Sequence, residues 1–181
     1  MFSDFVRHPS PRLPPGLGFR PTISTMNESE ALAVLRGGDA VAAARAADLL
    51  WGLWHRSGDA QVDAVLRQGI DAMGRQQVAE SEAFFTRVIQ LAPGFAEGWN
   101  KRATARYLAR DYEGAITDCR ETLARNPHHF GALSGQGLCH MALRQYGEAA
   151  DLFRRALAVH PHLDGARENL RLALGELVKW N

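Results

Sequence analysis

Proline is almost missing from most of this chain. Eight prolines occur in 181 residues; five precede residue 22, and the others stand at 93, 127 and 161. Cysteine is scarcer: Cys119 and Cys139 only, with no CxxC pair. That argues against a disulfide-dense secreted domain and against the usual zinc-ligand spacing. Neither charge sign prevails, with 21 basic and 20 acidic residues interspersed, whereas a nucleic-acid binder concentrates basic residues on one face. Long apolar runs are lacking too. The longest, residues 41–54, is broken by Arg45 and Asp48 and is shorter than the roughly 20 residues a membrane span needs. Walker loop, G-x-S-x-G and H-E-x-x-H signatures are all absent. The expectation is a non-enzymatic chain with no cofactor, no metal, no nucleic acid and no membrane span.

The N-terminal stretch, 1–25, differs in composition. It holds five prolines, three arginines and one acid, and proline interrupts every apolar cluster, so no signal-peptide core forms. A disordered tail over 1–26 is expected, with a start at Met26 as a second reading. A cytoplasmic location follows from the same absences.

What is present is a period. Pro93, Pro127 and Pro161 recur with a fixed period of 34, a spacing that marks a repeat array of supersecondary units. With proline at position 32, the repeats are 62–95, 96–129 and 130–163. Position 4 is Val65, Trp99, Leu133; position 8 is Gly69, Ala103, Gly137. Position 17 is Val78, Tyr112, Tyr146; position 20 is Ser81, Ala115, Ala149. Position 24 is Phe85, Cys119, Phe153; position 28 is Ile89, Leu123, Leu157. Steps of three and four describe one helix face. Small residues at 8 and 20 permit close approach of two helices, and large ones at 4, 24 and 28 fill the remaining volume. Proline ends the second helix because it cannot continue one.

These columns resemble the tetratricopeptide repeat (TPR) family, with its W-x2-L-G-x2-Y, A-x3-F-x2-A and P pattern. The third repeat matches at Gly137, Tyr146, Ala149, Phe153, Ala156, Leu157 and Pro161, and the second at Trp99, Tyr112, Ala115, Leu123 and Pro127. The first matches at Gly69, Phe85 and Pro93 and departs at Ser81 and Val88. Position 11, usually tyrosine, is Ala72, Arg106 and His140; position 15, often glycine, is Gln76, Arg110 and Arg144. The runs at 95–100 and 129–135 are similar to those of small stand-alone bacterial TPR proteins. The resemblance implies an all-α fold: a short right-handed TPR superhelix of antiparallel hairpins, an α-solenoid.

The flanks extend the array. Asn27-Glu28-Ser29-Glu30 reads as a capping box, Gly37-Gly38 ends a short helix, and Asp39 caps a longer one to about His55. The frame continued backwards puts Ala47 at position 20, Trp51 at 24 and Trp54 at 27, so 27–61 is expected to be a degenerate repeat, the alternative being a pair packed in another register. The segment 164–181, with Leu170, Leu174 and Leu177, is expected to form a C-terminal capping helix.

His128, His129, His160 and His162 close two repeats. They are expected to be polar turn residues, with a metal-dependent or enzymatic accessory role as the rival. His140 is expected to be a partly buried structural histidine, and both cysteines small apolar core residues.

The resemblance implies binding of a protein or peptide partner on the concave side, at positions 2, 5, 6, 9, 12 and 13. The candidate groove residues are Leu66, Arg67, Ile70, Met73, Asn100, Lys101, Thr104, Tyr107, Leu108, Ser134, Leu138 and Met141. Tyr107 is the expected anchor. Chaperone-binding relatives use a carboxylate clamp at five positions that read Leu66, Ile70, Lys101, Gly131 and Gly135 here, so no clamp is expected. Part of the apolar stripe has competing covers in the 28–61 helices, the capping helix or a second copy of the chain, as in a homo-oligomer.

The frame predicts that Ala149→Leu destabilises the protein by about 1–3 kcal/mol, because overpacking a close helix contact costs that much. An unchanged melting temperature would show the frame to be misaligned.

Overall fold

The structure, a computed structural model, describes residues 26–179. Nearly all of the expected N-terminal tail (1–25) and the end of the capping segment (180–181) lie outside the described residues. Nine helices and no strand occur among the described residues. They are α1 (Glu28–Gly37), α2 (Ala40–Trp54), α3 (Ala60–Gly74), α4 (Val78–Leu91), α5 (Ala96–Leu108), α6 (Tyr112–Arg125), α7 (Phe130–Ala142), α8 (Tyr146–Val159) and α9 (Asp164–Lys179).

The helix boundaries follow from local chemistry. Asn27 caps α1 in a reciprocal box: its Oδ1 accepts from the Glu30 N–H at 3.0 Å, and Glu30 Oε2 accepts from the Asn27 N–H at 2.9 Å. Asp39 Oδ1 accepts from the Ala42 N–H at 2.8 Å and opens α2. Each second helix of a repeat stops before its proline. Ala92, Asn126 and His160 precede those prolines and leave the helical region, at ψ 75°, 91° and 86°, as the proline ring requires of its predecessor.

The turn inside each repeat closes in the same way three times. Gln76, Arg110 and Arg144 have φ of 63°, 63° and 60°. The next N–H reaches back to Ala72 O, Arg106 O or His140 O at 3.0, 2.9 and 2.8 Å, a Schellman closure. This explains why relatives favour glycine at position 15. Here side chains occupy a conformation that costs roughly 1–2 kcal/mol in L-residues.

Within a repeat the two helices are matched by volume. A Cβ added to Gly69 would stand 2.5 Å from the Phe85 ring, and one added to Gly137 would stand 2.7 Å from the Phe153 ring. Where the second repeat has Ala103, the facing residue is the smaller Cys119. Between repeats, Val88 is bulkier than its counterparts Thr122 and Ala156; Gly98 accommodates it, since a Cβ there would meet Val88 Cγ1 at 2.7 Å. The third repeat and the capping helix have Ala132 and Ala166 at the position of Gly98. Ser81 stays compatible with the core because its hydroxyl donates to Val78 O at 2.8 Å.

One expectation changes. Trp99 does not fill the core: it is half-buried, with the Arg102 and Arg125 guanidinium groups 5.1 and 4.6 Å from its ring centre. Position 11 in the second repeat carries Arg106 because a buried acid awaits it. Asp118 takes a bidentate contact from Arg102 at 2.9 and 2.8 Å and a third from Arg106 at 3.0 Å. Arg106 also reaches Glu82 at 2.9 Å. A buried carboxylate needs such pairing.

First helices approach their neighbours (α3 to α5, α5 to α7, α7 to α9), and α9 also caps α8. The first helices therefore line the inner, concave side of the superhelix.

Relief of the left-handed strain should show in stability. Arg144→Gly should raise it by about 1 kcal/mol, a gain of a few degrees in melting temperature. Arg120→Gly, the same change in the middle of α6, should lower it by about the same amount. Thermal unfolding of the two variants checks the pair; equal signs would refute it.

Candidate functional site: the concave face and its N-terminal helices

The α1–α2 pair does not extend the stack. Trp51, placed at position 24 by the extended frame, would face position 8 of its own hairpin, and that residue is Leu35, not glycine. An indole cannot occupy the space that Gly69 and Gly137 leave for phenylalanine if leucine fills it. Trp51 instead packs on α7, 2.5 Å from where a Cβ on Gly131 would be. Ala43, Ala46, Ala47, Leu50 and Trp54 join one apolar cluster with Phe130 and Leu133 of α7 and Val159 of α8. The degenerate-repeat expectation is therefore corrected: the pair lies across the N-terminal ends of the first helices.

The seat is aromatic and histidine-lined. Trp54 stacks on His129 with centroids 4.6 Å apart, and Trp51 meets His129 and Phe130 edge-on, each at 5.3 Å. Trp54 Nε1–H donates to Glu28 Oε1 at 2.8 Å, tying α2 to α1. His129 is fully buried and caps α7: its Nδ1 accepts from the Ala132 N–H at 3.0 Å. That leaves Nε2 to carry the proton and donate to Glu97 Oε2 at 2.9 Å. The other turn histidines also face the pair. His128 Nδ1 lies 3.3 Å from Arg36, His162 Nε2 lies 3.3 Å from Gly38 O, and His160 meets Phe130 edge-on at 5.1 Å. Among the described residues no group of three or more His, Cys, Asp or Glu is placed to hold a metal.

Glu97 is the electrostatic centre. Burial would raise its pKa, but the Lys101 ammonium at 3.2 Å, the His129 hydrogen bond and the nearby His55 outweigh that and hold it at about 2. His55 Nδ1–H is spent on Trp51 O at 2.7 Å, so Nε2, 3.3 Å from Glu97 Oε1, donates only when His55 is cationic. Glu97 Oε1, although ion-paired with Lys101, accepts no well-directed hydrogen bond; nor does Asn100 Oδ1, and His160 Nδ1 has no partner either. A buried polar atom left without a hydrogen bond costs about 1–3 kcal/mol.

The candidate groove residues divide. Leu66, Met73, Asn100 and Thr104 are buried and are not a surface, which corrects their assignment. Leu66 and Met73 pack with Ala105 in the contact between α3 and α5. Asn100 donates to Glu97, and Thr104 donates to Asn100 O. Arg67 is exposed; Ile70, Lys101, Tyr107, Leu108, Ser134, Leu138 and Met141 are partly exposed. Tyr107 also packs against the cluster of Cys119 and Cys139 and lies edge-on to Tyr112 at 5.5 Å. Its truncation therefore tests stability as much as binding. Both thiols are pushed up by burial, Cys139 to about 12, so neither is a ready nucleophile. His140 is buried, with its Nδ1 2.6 Å from Gln145 Oε1.

The residues missed on the sequence were Trp51, Trp54, His129 and Glu97. One signal pointed to them: tryptophans three apart in a helix whose partner has leucine at position 8.

Acid should loosen this seat in two stages. His160, held at about 4 by burial and by His162, resists protonation when folded, so stability falls from pH 6.5 towards 4. Glu97 contributes about 3 kcal/mol that is present above its ordinary 4.5 and is lost as pH falls to about 2. Tryptophan fluorescence and melting temperature against pH check this; Glu97→Gln should flatten the lower limb, and an unaltered limb would overturn the assignment.

The comparisons with known proteins agree with the geometry. The tetratricopeptide repeat profile matches residues 66–122 and 101–166. A TPR repeat-containing protein of Rhizobium etli is 33% identical over 82 residues, covering 45% of this chain and 40% of the relative. The aligned stretch thus spans well under half of that relative's length. Among solved structures, the first TPR domain of Spaghetti (RPAP3) bound to an HSP90 peptide superposes with TM-score 0.65 at 23% identity, over 66% of this chain and 96% of that one. MamA superposes with TM-score 0.61 at 17% identity, over 82% and 83%. Those two likenesses show the fold. With the family profile matching more than half of its length, the chain belongs to the tetratricopeptide repeat family.

Proposed function

We propose that this protein is a non-catalytic protein–protein interaction module that binds a peptide or helix along the open part of its concave face. The observation that carries the reading is the strip of partly exposed apolar side chains, Ile70, Leu108, Leu138 and Met141, on successive first helices. Aliphatic and methionine side chains at a concave surface suit an amphipathic helix or extended peptide. The Spaghetti domain is bound to an HSP90 peptide, and peptide binding by a related fold supports the same use here.

The chemistry of the bound peptide differs from that of a clamp. Leu66, Ile70, Gly131 and Gly135 offer neither a cation nor a side-chain amide at four of the five clamp positions. The fifth, Lys101, is engaged by Glu97 at 3.2 Å. An acidic C-terminus would meet a buried carboxylate, which opposes it.

A peptide-display selection on the immobilised full chain tests the reading. Selected peptides should lose about 1–3 kcal/mol of affinity with Leu108→Ser or Leu138→Ser, and nothing with Arg120→Ala, an exposed change on α6. Equal loss from all three, or none from either leucine variant, would move the site off the concave face.

A further inference from the structure

The α1–α2 pair lies across the N-terminal ends of the first helices, with α2 over part of the concave face, in the manner of a ligand, not of a repeat. Within the array each helix packs closely along its neighbours, whereas the pair approaches the array's backbone mainly where α1 meets α8. The rest of its attachment is made by side chains, chiefly Trp51 and Trp54. The seam is incompletely filled. A cleft of about 730 Å³ lies between the pair and the turns around Phe95 and Pro127, and another of about 300 Å³ lies between α2, α7 and the start of α9. Three buried polar atoms among the described residues belong to this region: Asn100 Oδ1 and His160 Nδ1 have no protein hydrogen-bond partner, and Glu97 Oε1 has only its ion-pair contacts with Lys101 and His55 at 3.2 and 3.3 Å. Water or another donor would satisfy them once the pair is lifted. A short link, 55–59, joins α2 to α3, with Gly58 at φ 86°.

We propose that the α1–α2 hairpin is a displaceable internal ligand of the concave face. Its competitor is a partner helix of the same chemistry: an alanine-rich face carrying two aromatic side chains three residues apart, with a hydrogen-bond donor beyond them to reach Glu97. The proposal rests on the concave face being the binding surface. α2 itself supplies the template, with Ala43, Ala47, Trp51 and Trp54 on the buried face. A foreign helix with a lysine or arginine after its second aromatic residue would give Glu97 Oε1 the hydrogen bond that His55 makes only when cationic. Because the link is short, the hairpin competes at an effective concentration of millimolar order. Apparent affinity for a partner is reduced by the fraction of molecules whose seat is closed. Changes that loosen the hairpin without altering the seat therefore strengthen capture.

The probe is a fluorescent peptide of sequence 39–56 added to the full chain. Wild-type chain should bind it weakly. Trp54→Ala and Glu28→Ala, which removes the acceptor of the Trp54 Nε1–H bond, both act on the hairpin and leave the seat residues unchanged, so each should tighten binding, by about tenfold or more for Trp54→Ala. A peptide with both tryptophans replaced by alanine should not bind. In the unaltered chain, amides of α1 and α2 should exchange together and at least about tenfold faster than those of α7 and α8. The proposal is overturned if both variants, folded by circular dichroism, bind the peptide no better than wild type. It is equally overturned if the hairpin amides are as protected as those of α7. Should Trp54→Ala fail to fold, Glu28→Ala and the exchange measurement decide. A concentration-dependent dimer formed by exchanging hairpins would make a second copy the occupant and also refute the foreign helix. If display-selected peptides depend on Leu108 while the 39–56 peptide never binds, the groove reading stands and the internal ligand falls.

Discussion

Everything in this molecule depends on how closely two helices approach inside one hairpin. At the contact, a ring on the second helix lies against a missing side chain on the first: Phe85 on Gly69, Phe153 on Gly137. Interiors pack at crystal-like density, so one extra carbon there forces something to move. Close approach makes each hairpin a thin, two-helix slab. A slab buries only part of its apolar surface, so it must stack on another. Compensation between neighbours keeps the stack regular, with Cys119 opposite Ala103 and Gly98 opposite Val88.

The same rule excludes the N-terminal pair from the stack. Leu35 stands where the frame requires a small residue, and Trp51 is larger than phenylalanine. The pair keeps its own caps and its own α1–α2 contact, but its aromatic face has to find glycine elsewhere. It finds Gly131. The cost appears in the electrostatics. Seating two indoles over α5 and α7 buries Glu97 and His129 completely, and the acid is kept charged by Lys101. The histidine turns that looked like polar surface, or like metal ligands, serve as the floor and rim of this seat.

The groove residues divide for a geometric reason. First helices approach one another on the inner side of a curved stack, so the side chains aimed between them, Leu66 and Met73, are shut in. Those aimed along the open half, Ile70, Leu108, Leu138 and Met141, stay partly wet. A table of groove positions taken from the repeat frame does not separate these two directions.

By itself the sequence determined what is periodic. The even proline spacing, the small-large alternation at positions 8, 20 and 24, and the caps at Asn27 and Asp39 each reflect a local rule that repeats or acts within one turn of helix. Helix ends, hairpin order and the capping helix were legible for that reason. Only the tertiary structure decided where the non-periodic parts went. That Trp51 lies on Gly131, far along the chain, that Arg106 meets a buried Asp118, and that Glu97 takes His129 are long-range pairings between single residues. No period repeats them, and no local rule announces them. They are set by which surfaces remain uncovered after the repeats have stacked.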